Sequence, residues 1–211
     1  MVFDFDGTLA VLNIDFSLMK ERVFLLIRDL GIDEESIREQ YLLEIIDEVC
    51  GRLRRENPIA ADTFYENAHH ILHEIELNAA AEGRLISGTE AALTDLGNRG
   101  VKVGIVTRNC EDAVRRVFPN IDAFCDVFLS RNSVKRVKPH PDHLTSMMKA
   151  LNVASEEAVM VGDHVIDIQA GQSVGMKTIG VLTGRTKKEA FEGVGADYIL
   201  NEVTEICTLF E

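Results

Sequence analysis

At 211 residues, with 46% hydrophobic and 27% charged residues, the chain has the make-up of a globular protein of one large domain, or of a core with a smaller companion. Its formal net charge of −13 argues against nucleic acid or an anionic membrane as partner, and it obliges any phosphate site to carry its own positive charge. Four scattered cysteines, Cys50, Cys110, Cys125 and Cys207, form no Cys-x-x-Cys pair and fit free thiols in a reducing cytosol.

The chain opens on a short apolar run, Met1-Val2-Phe3, that reads as a strand delivering Asp4 and Asp6. No basic, apolar leader stands before this motif, and no uncharged stretch approaches the ~18 residues of a membrane helix, so a cytoplasmic protein is expected. From about Asp15 to Ala81 the periodicity is helical. Phe16, Met19, Val23, Leu26, Ile27 and Leu30 recur at three- and four-residue spacing, with Gly31 as a stop. A second helix is predicted from Glu34 to Arg55 and is broken by Asn57-Pro58. A third is predicted over about Ala60 to Ala81.

After Gly83 the rhythm changes. Thr89 to Arg99 reads as a helix ended by Gly100, and Val101 to Val106 as a strand. Further apolar runs at Val127–Leu129, Val159–Val161 and Thr178–Leu182 are separated by helical segments. Such alternation predicts an α/β fold, a doubly wound, Rossmann-like parallel sheet covered on both faces. Residues 1–13 and 84–211 would form this core, and 14–83 an inserted all-helical domain. The hinges are expected near Val11–Asp15 and Glu82–Gly88.

Four stations carry chemistry. Asp4 and Asp6 leave their strand on one side because strand side chains alternate, and two carboxylates on one edge call for a cation such as Mg²⁺. Gly7 permits a sharp turn that brings backbone N–H groups toward an anion. Thr107-Arg108-Asn109 follows a strand; Thr107 either donates to a phosphate or caps the next helix, a role Asn109 can also fill. Lys138 precedes Pro139, which restricts its backbone, so its ammonium either meets a phosphate or sits at the surface beside a helix start. Asp163 ends an apolar strand and Asp167 lies one helical turn on; they either complete a metal site or decorate a helix N-terminus.

His69, His70 and His73 mark a cap-helix face rather than a metal pair, and Arg52, Arg54 and Arg55 a solvated helix end. His164 is placed at the edge of the site.

In this order, Asp-x-Asp-Gly-Thr, Thr, Lys-Pro and Gly-Asp-x-x-x-Asp, with a helical insertion between the first two, the chain resembles the haloacid dehalogenase-like hydrolase superfamily. More narrowly it resembles the phosphoglycolate phosphatase-like branch with a helical cap. The tracts Gly88-Thr89-Glu90 to Thr107 and Gly180 to Gly184 look like that branch as well. The resemblance implies that Asp4 is the nucleophile and Asp6 the general acid–base. It implies that Gly7, Thr107, Arg108, Asn109 and Lys138 hold the phosphoryl group. Mg²⁺ would be held by Asp4, Asp6 through its backbone carbonyl, Asp163 and, directly or through water, Asp167.

Asp6 favours phosphate-ester cleavage or transfer over dehalogenation. The implied activity is a phosphatase acting on a small phosphorylated metabolite, in a monomer or homodimer, with a cap that selects substrate. A phosphomutase that returns the group to its substrate, a receiver-type switch and a non-catalytic scaffold are the competing readings. The receiver order, with its aspartate just before the threonine, does not match.

Overall fold

The computed structural model describes residues 1–210. The chain divides into two compact units, Met1–Asn13 with the chain from Ala80 onward, and Ile14–Ala79. In chain order the elements are β1 (Val2–Phe3), β2 (Ala10–Val11), α1 (Phe16–Asp29), α2 (Leu42–Glu56) and α3 (Pro58–Ala80). There follow β3 (Arg84–Leu85), α4 (Thr89–Asn98), β4 (Gly104–Val106), α5 (Glu111–Val117), β5 (Val127–Leu129) and α6 (Pro141–Leu151). The last are β6 (Val159–Gly162), α7 (Val165–Ser173), β7 (Lys177–Val181), α8 (Lys188–Gly193) and β8 (Tyr198–Leu200).

The larger unit is built on a parallel six-stranded sheet in the order β5-β4-β1-β6-β7-β8. β1 is central and its two residues are fully buried, as a strand covered on both faces must be. Val2 pairs with Gly104 on one side and Met160 on the other, and Phe3 with Ile105 and Val161. The chain therefore adds strands to one side of β1 and then to the other. The crevice beyond the carboxyl ends of β4, β1 and β6 is the switch point where ligands bind in such sheets. Under the sheet, Val2, Val106 and Met160 pack with Leu144, Met147 and Leu151 of α6. A short antiparallel ribbon, β2 with β3, lies where the chain leaves and re-enters this unit.

The smaller unit is helical. Asp15 caps α1 by accepting from the Leu18 N–H at 2.9 Å, and Met19, Val23 and Ile27 are its buried stripe. α3 begins on Pro58, a residue suited to the first helical position, with Asn57 Oδ1 accepting from the Ala60 N–H. Among the described residues no helix is long and apolar enough to cross a membrane.

Three boundaries differ from the sequence expectation. The second helix starts at Leu42, not Glu34: Asp33 caps a single 3₁₀ turn over Glu34–Ser36, and Glu48 Oε2 then accepts from the N–H groups of Arg38 and Glu39. A side chain has taken the donors that a continuous helix would have used. The strand expected from Val101 begins at Gly104, because the Val101 N–H turns back to Leu96 O to close α4 beyond left-handed Gly100. β8 was not anticipated; Asp197 ties its start to β7, accepting from the Thr178 N–H at 2.9 Å and from Lys177 at 2.8 Å.

Candidate active site

Phe3 pairs with Ile105 and Val161, so β4 and β6 each run one residue past β1, and Asp4, Thr107 and Asp163, the residues that follow the three strands, emerge within one register step of one another at the crevice. Lys138 arrives from the segment before α6, is joined to Pro139 by a cis peptide bond, and is fully buried. Its ammonium donates to Asp4 Oδ1 and to Asp167 Oδ1, both at 2.7 Å. Carboxylate oxygens of Asp4, Asp163 and Asp167 lie within 4.8 Å of one another. Residues separated by 163 positions in sequence thus share one site, as strand-end placement predicts.

The acids crowd one another. Burial, outweighing the adjacent Lys138, and the charges of Asp167 and Asp6 push Asp4 up to about 7. Burial first, then Asp4, Asp167 and Asp6, push Asp163 up to about 9. Lys138 moves the other way from a lone buried amine: burial would lower it, but Asp167 and Asp4 hold it above its ordinary value. One ammonium among four acids leaves an excess of negative charge in a site of oxygen donors. That donor set fits a hard divalent cation.

Three glycines make room for this cluster. A Cβ on Gly7, which has φ +88°, would fall 2.3 Å from Asp163 Oδ2; one on Gly184 would fall 1.8 Å from the same atom. A Cβ on Gly162 would meet the Asp167 carboxyl at 2.3 Å. Thr183 Oγ1 donates to Gly7 O, tying the two glycine loops together, and Thr8 Oγ1 reaches Asp163 Oδ1 at 3.5 Å.

Each of the remaining site residues has a definite place. Asp4 Oδ2 has no hydrogen-bond partner among the described residues, whereas Asp167 uses Oδ1 for Lys138 and Oδ2 for the His164 N–H at 3.1 Å. Asp6 stands beside the trio, its Oδ1 accepting from the Leu12 N–H at 2.9 Å. Thr107 is buried and does not cap α5, whose N-cap is Cys110; its hydroxyl oxygen instead accepts from the Asn109 N–H at 3.1 Å. That leaves its proton to donate. Asn109 is buried too, and its Nδ2 has no partner among the described residues, which leaves an amide donor in need of an acceptor. The Arg108 guanidinium donates to Lys138 O, and Arg131, unremarked in the sequence, donates to Arg108 O at 3.2 Å.

The Gly7 N–H donates to Ala10 O at 2.7 Å, and the Thr8 and Leu9 N–H groups turn back to Phe5 O. What Gly7 contributes is the missing side chain beside Asp163. The first N–H of α5, on Glu111, donates to Asn132 Oδ1 at 3.3 Å. His164 caps α7 through Nδ1, which accepts from the Ile166 N–H at 3.2 Å. His69 stacks on Tyr65 with ring centroids 4.2 Å apart, and Arg54 pairs with Asp62 at 2.8 Å.

Residue His143, between Pro141 and the body of α6, was not singled out in the sequence. It is completely buried beside Lys138. Only its spacing from Lys138 could have marked it, and a lone histidine on a helix carries little signal.

Comparison with known proteins agrees with this geometry. The chain is 38% identical over 117 residues to the pyrophosphatase PpaX of Bacillus cereus, a match spanning 53% of each protein, so the chain spans about half the length of the curated relative. Among solved structures, a Bacteroides fragilis protein assigned as a haloacid dehalogenase-like hydrolase superimposes with a TM-score of 0.69 at 21% identity, covering 97% of both chains. A predicted phosphoglycolate phosphatase from Haemophilus somnus gives 0.65 at 18% identity, covering 100% of this chain and 96% of the other. At those identities the two structures show the fold alone. The family model for haloacid dehalogenase-like hydrolases matches residues 1–181, through all four stations, and the chain belongs to that family.

Proposed function

We propose that the chain is a Mg²⁺-dependent phosphatase that hydrolyses a small phosphorylated metabolite, a phosphoglycolate-like monoester, through a phosphoryl group carried on Asp4. The observation that carries this reading is the Lys138 ammonium held at 2.7 Å from both Asp4 and Asp167, with Asp163 in the same cluster. Asp4 Oδ2 is the oxygen left for attack, while Oδ1 is fixed by Lys138. A metal held by Asp4, Asp163 and the Asp6 carbonyl, with Asp167 contributing through water, would neutralise charge between the nucleophile and the incoming phosphate.

Asp4 Oδ2 attacks phosphorus, and the bond to the leaving oxygen breaks as Asp6 gives that oxygen a proton. Asp6 then removes a proton from water, which attacks the phosphorylated Asp4, releases phosphate and restores the carboxylate. Thr107 Oγ1 and Asn109 Nδ2 donate to the phosphoryl oxygens, and Lys138 balances their charge. Such chemistry is mostly positioning and charge neutralisation, and it is what this arrangement supplies. Substrate choice is assigned to the helical unit, and the four free thiols support a cytoplasmic setting. A second reading, hydrolysis of inorganic pyrophosphate, is favoured by the identity to the Bacillus cereus pyrophosphatase.

The test is phosphate release from an aryl phosphate, a phosphomonoester panel and pyrophosphate, with Mg²⁺ or with chelator. Wild type should release phosphate only with Mg²⁺, and Asp4→Asn should lose at least about 10³-fold. Phosphate moved between sugar positions without release would make the protein a mutase; a folded wild type inert on every substrate would overturn the phosphatase reading.

A further inference from the structure

Thr107 and Lys138 come from separate strand connections, yet one backbone atom relates them. Leu129 O, at the end of β5, accepts from the Thr107 N–H at 3.1 Å and lies 3.2 Å from His143 Nε2. The other ring nitrogen, Nδ1, accepts from the Lys138 N–H at 3.4 Å. An amide can only donate, so Nδ1 carries no proton, and Nε2 must then carry one and donate to Leu129 O. The ring is fully buried, and the charged groups facing it are Lys138, from the segment before α6, and Arg108, from the segment after β4. Both are cations. Burial and these two charges favour the neutral ring, which is held down to about 3.

We propose that His143 is a positioning residue: its neutral Nε2–H tautomer, bonded to Leu129 O and to the Lys138 N–H, sets the spacing between the Thr107 hydroxyl and the Lys138 ammonium. The inference rests on the phosphatase reading, since it assigns those two groups to one phosphoryl group. It adds a residue that touches neither substrate nor metal. Both of its bonds are to backbone, so it fixes where two strand connections begin rather than what their side chains are. In the first turn of α6, one side chain spans both.

Three substitutions separate its two bonds. Asn places an acceptor where Nδ1 stands and cannot reach Leu129; Gln places a donor where Nε2 stands and loses the acceptor; Leu removes both. In folded variants, shown by circular dichroism and melting, His143→Leu should lower kcat for aryl phosphate about 10²-fold and raise KM in step with the loss of orthophosphate affinity below, because a shift of about 1 Å in a positioning group is worth that much. Asn and Gln should each recover about tenfold of that loss. Orthophosphate affinity, read by calorimetry, should weaken at least about tenfold in the Leu variant.

Nitrogen-15 spectra of histidine-labelled wild-type chain should show one ring that stays in the Nε2–H form from pH 7.5 to about 4. A folded Leu variant with wild-type kcat and phosphate affinity overturns the proposal, as does a His143 ring that is charged or protonated on Nδ1 at neutral pH. If the Leu variant does not fold, Asn and Gln variants with wild-type kcat have the same force. A wild type that releases no phosphate defeats the phosphatase reading instead, and the tautomer and orthophosphate affinity then decide the role of His143 alone.

Discussion

Lys138→Met is the most direct probe of the buried charge cluster. Methionine keeps the apolar stem out to Cε and lacks only the terminal ammonium, so the change removes a charge and opens little space. At 2.7 Å each ion pair is worth about 6 kcal/mol gross in an effective dielectric of about 20. Much of the combined attraction is offset by burying an ammonium whose side chain is 1% exposed. Removing only the lysine takes away the attraction and leaves two carboxylates buried together, a loss of about 3–5 kcal/mol.

For a chain of this size each kcal/mol moves the melting temperature by about 2–4 °C, so a fall of about 10 °C is expected in chelator. The double variant Lys138→Met with Asp167→Asn, which also removes one stranded charge, should regain at least a third of it. Activity with Mg²⁺ should fall about 10²–10³-fold in both, since in the proposed mechanism the lysine would also meet the charge developing on the phosphoryl oxygens. Thermal unfolding followed by circular dichroism in chelator reads the stability arm. A Lys138→Met protein that melts within about 2 °C of wild type would refute the reasoning, because it would mean that the acids shed their repulsion without the ammonium.

Two further outcomes follow from close contacts elsewhere in the site. In Gly184→Ala the new Cβ would lie 1.8 Å from Asp163 Oδ2 and 2.7 Å from its Cβ, so the carboxylate must leave its present position; half-saturation of activity by Mg²⁺ should rise at least about tenfold, and an unchanged Mg²⁺ titration would count against Asp163 as a ligand. His143 sits near 3 when folded and near 6.5 when unfolded, so between these values the unfolded chain binds the extra proton and stability rises with pH. Wild type should therefore lose up to about 1.4 kcal/mol per pH unit below pH 6.5 that His143→Asn does not lose, with parallel profiles above pH 7. Denaturant midpoints from pH 4.5 to 8 measure the difference, and parallel profiles throughout would remove the buried neutral ring from the account.

The parallel sheet was legible because its strands are buried on both faces and read as uninterrupted apolar runs ending in Asp4, Thr107 and Asp163. That reading brought the acids and Lys138 to one edge, and in the structure Lys138 bonds Asp4 and Asp167 at 2.7 Å, with an Asp163 oxygen within 4.8 Å of those of Asp4 and Asp167. What it missed is tied to long-range contacts of single polar side chains. Nothing in the sequence near Glu34 announces that Glu48 will bind the N–H groups of Arg38 and Glu39 and end the expected helix there. Nor does the short run Tyr198–Leu200 stand out until Asp197 fastens it to Thr178. A turn residue's N–H is as ready to close its own loop as to meet an anion, and at Gly7 it is Ala10 O that takes it.

The legible and the illegible parts of the site differ in kind. An acid, a hydroxyl or an ammonium is chosen for its functional group, and the chemistry names the residue type. Gly184, Gly7 and His143 are chosen for a distance. The two glycines allow Asp163 to enter a space where any Cβ would collide with it, and the histidine sets the spacing of two backbone segments. Gly7 and Gly184 stand in recognisable motifs, but these distances cannot be read along the chain, because the partners lie in different connections of the sheet. On the proposed reading, a protein with 35 acidic and 22 basic side chains would meet its anionic substrate locally, with one buried ammonium, the Asn109 amide and a divalent cation held among Asp4, Asp163 and Asp167.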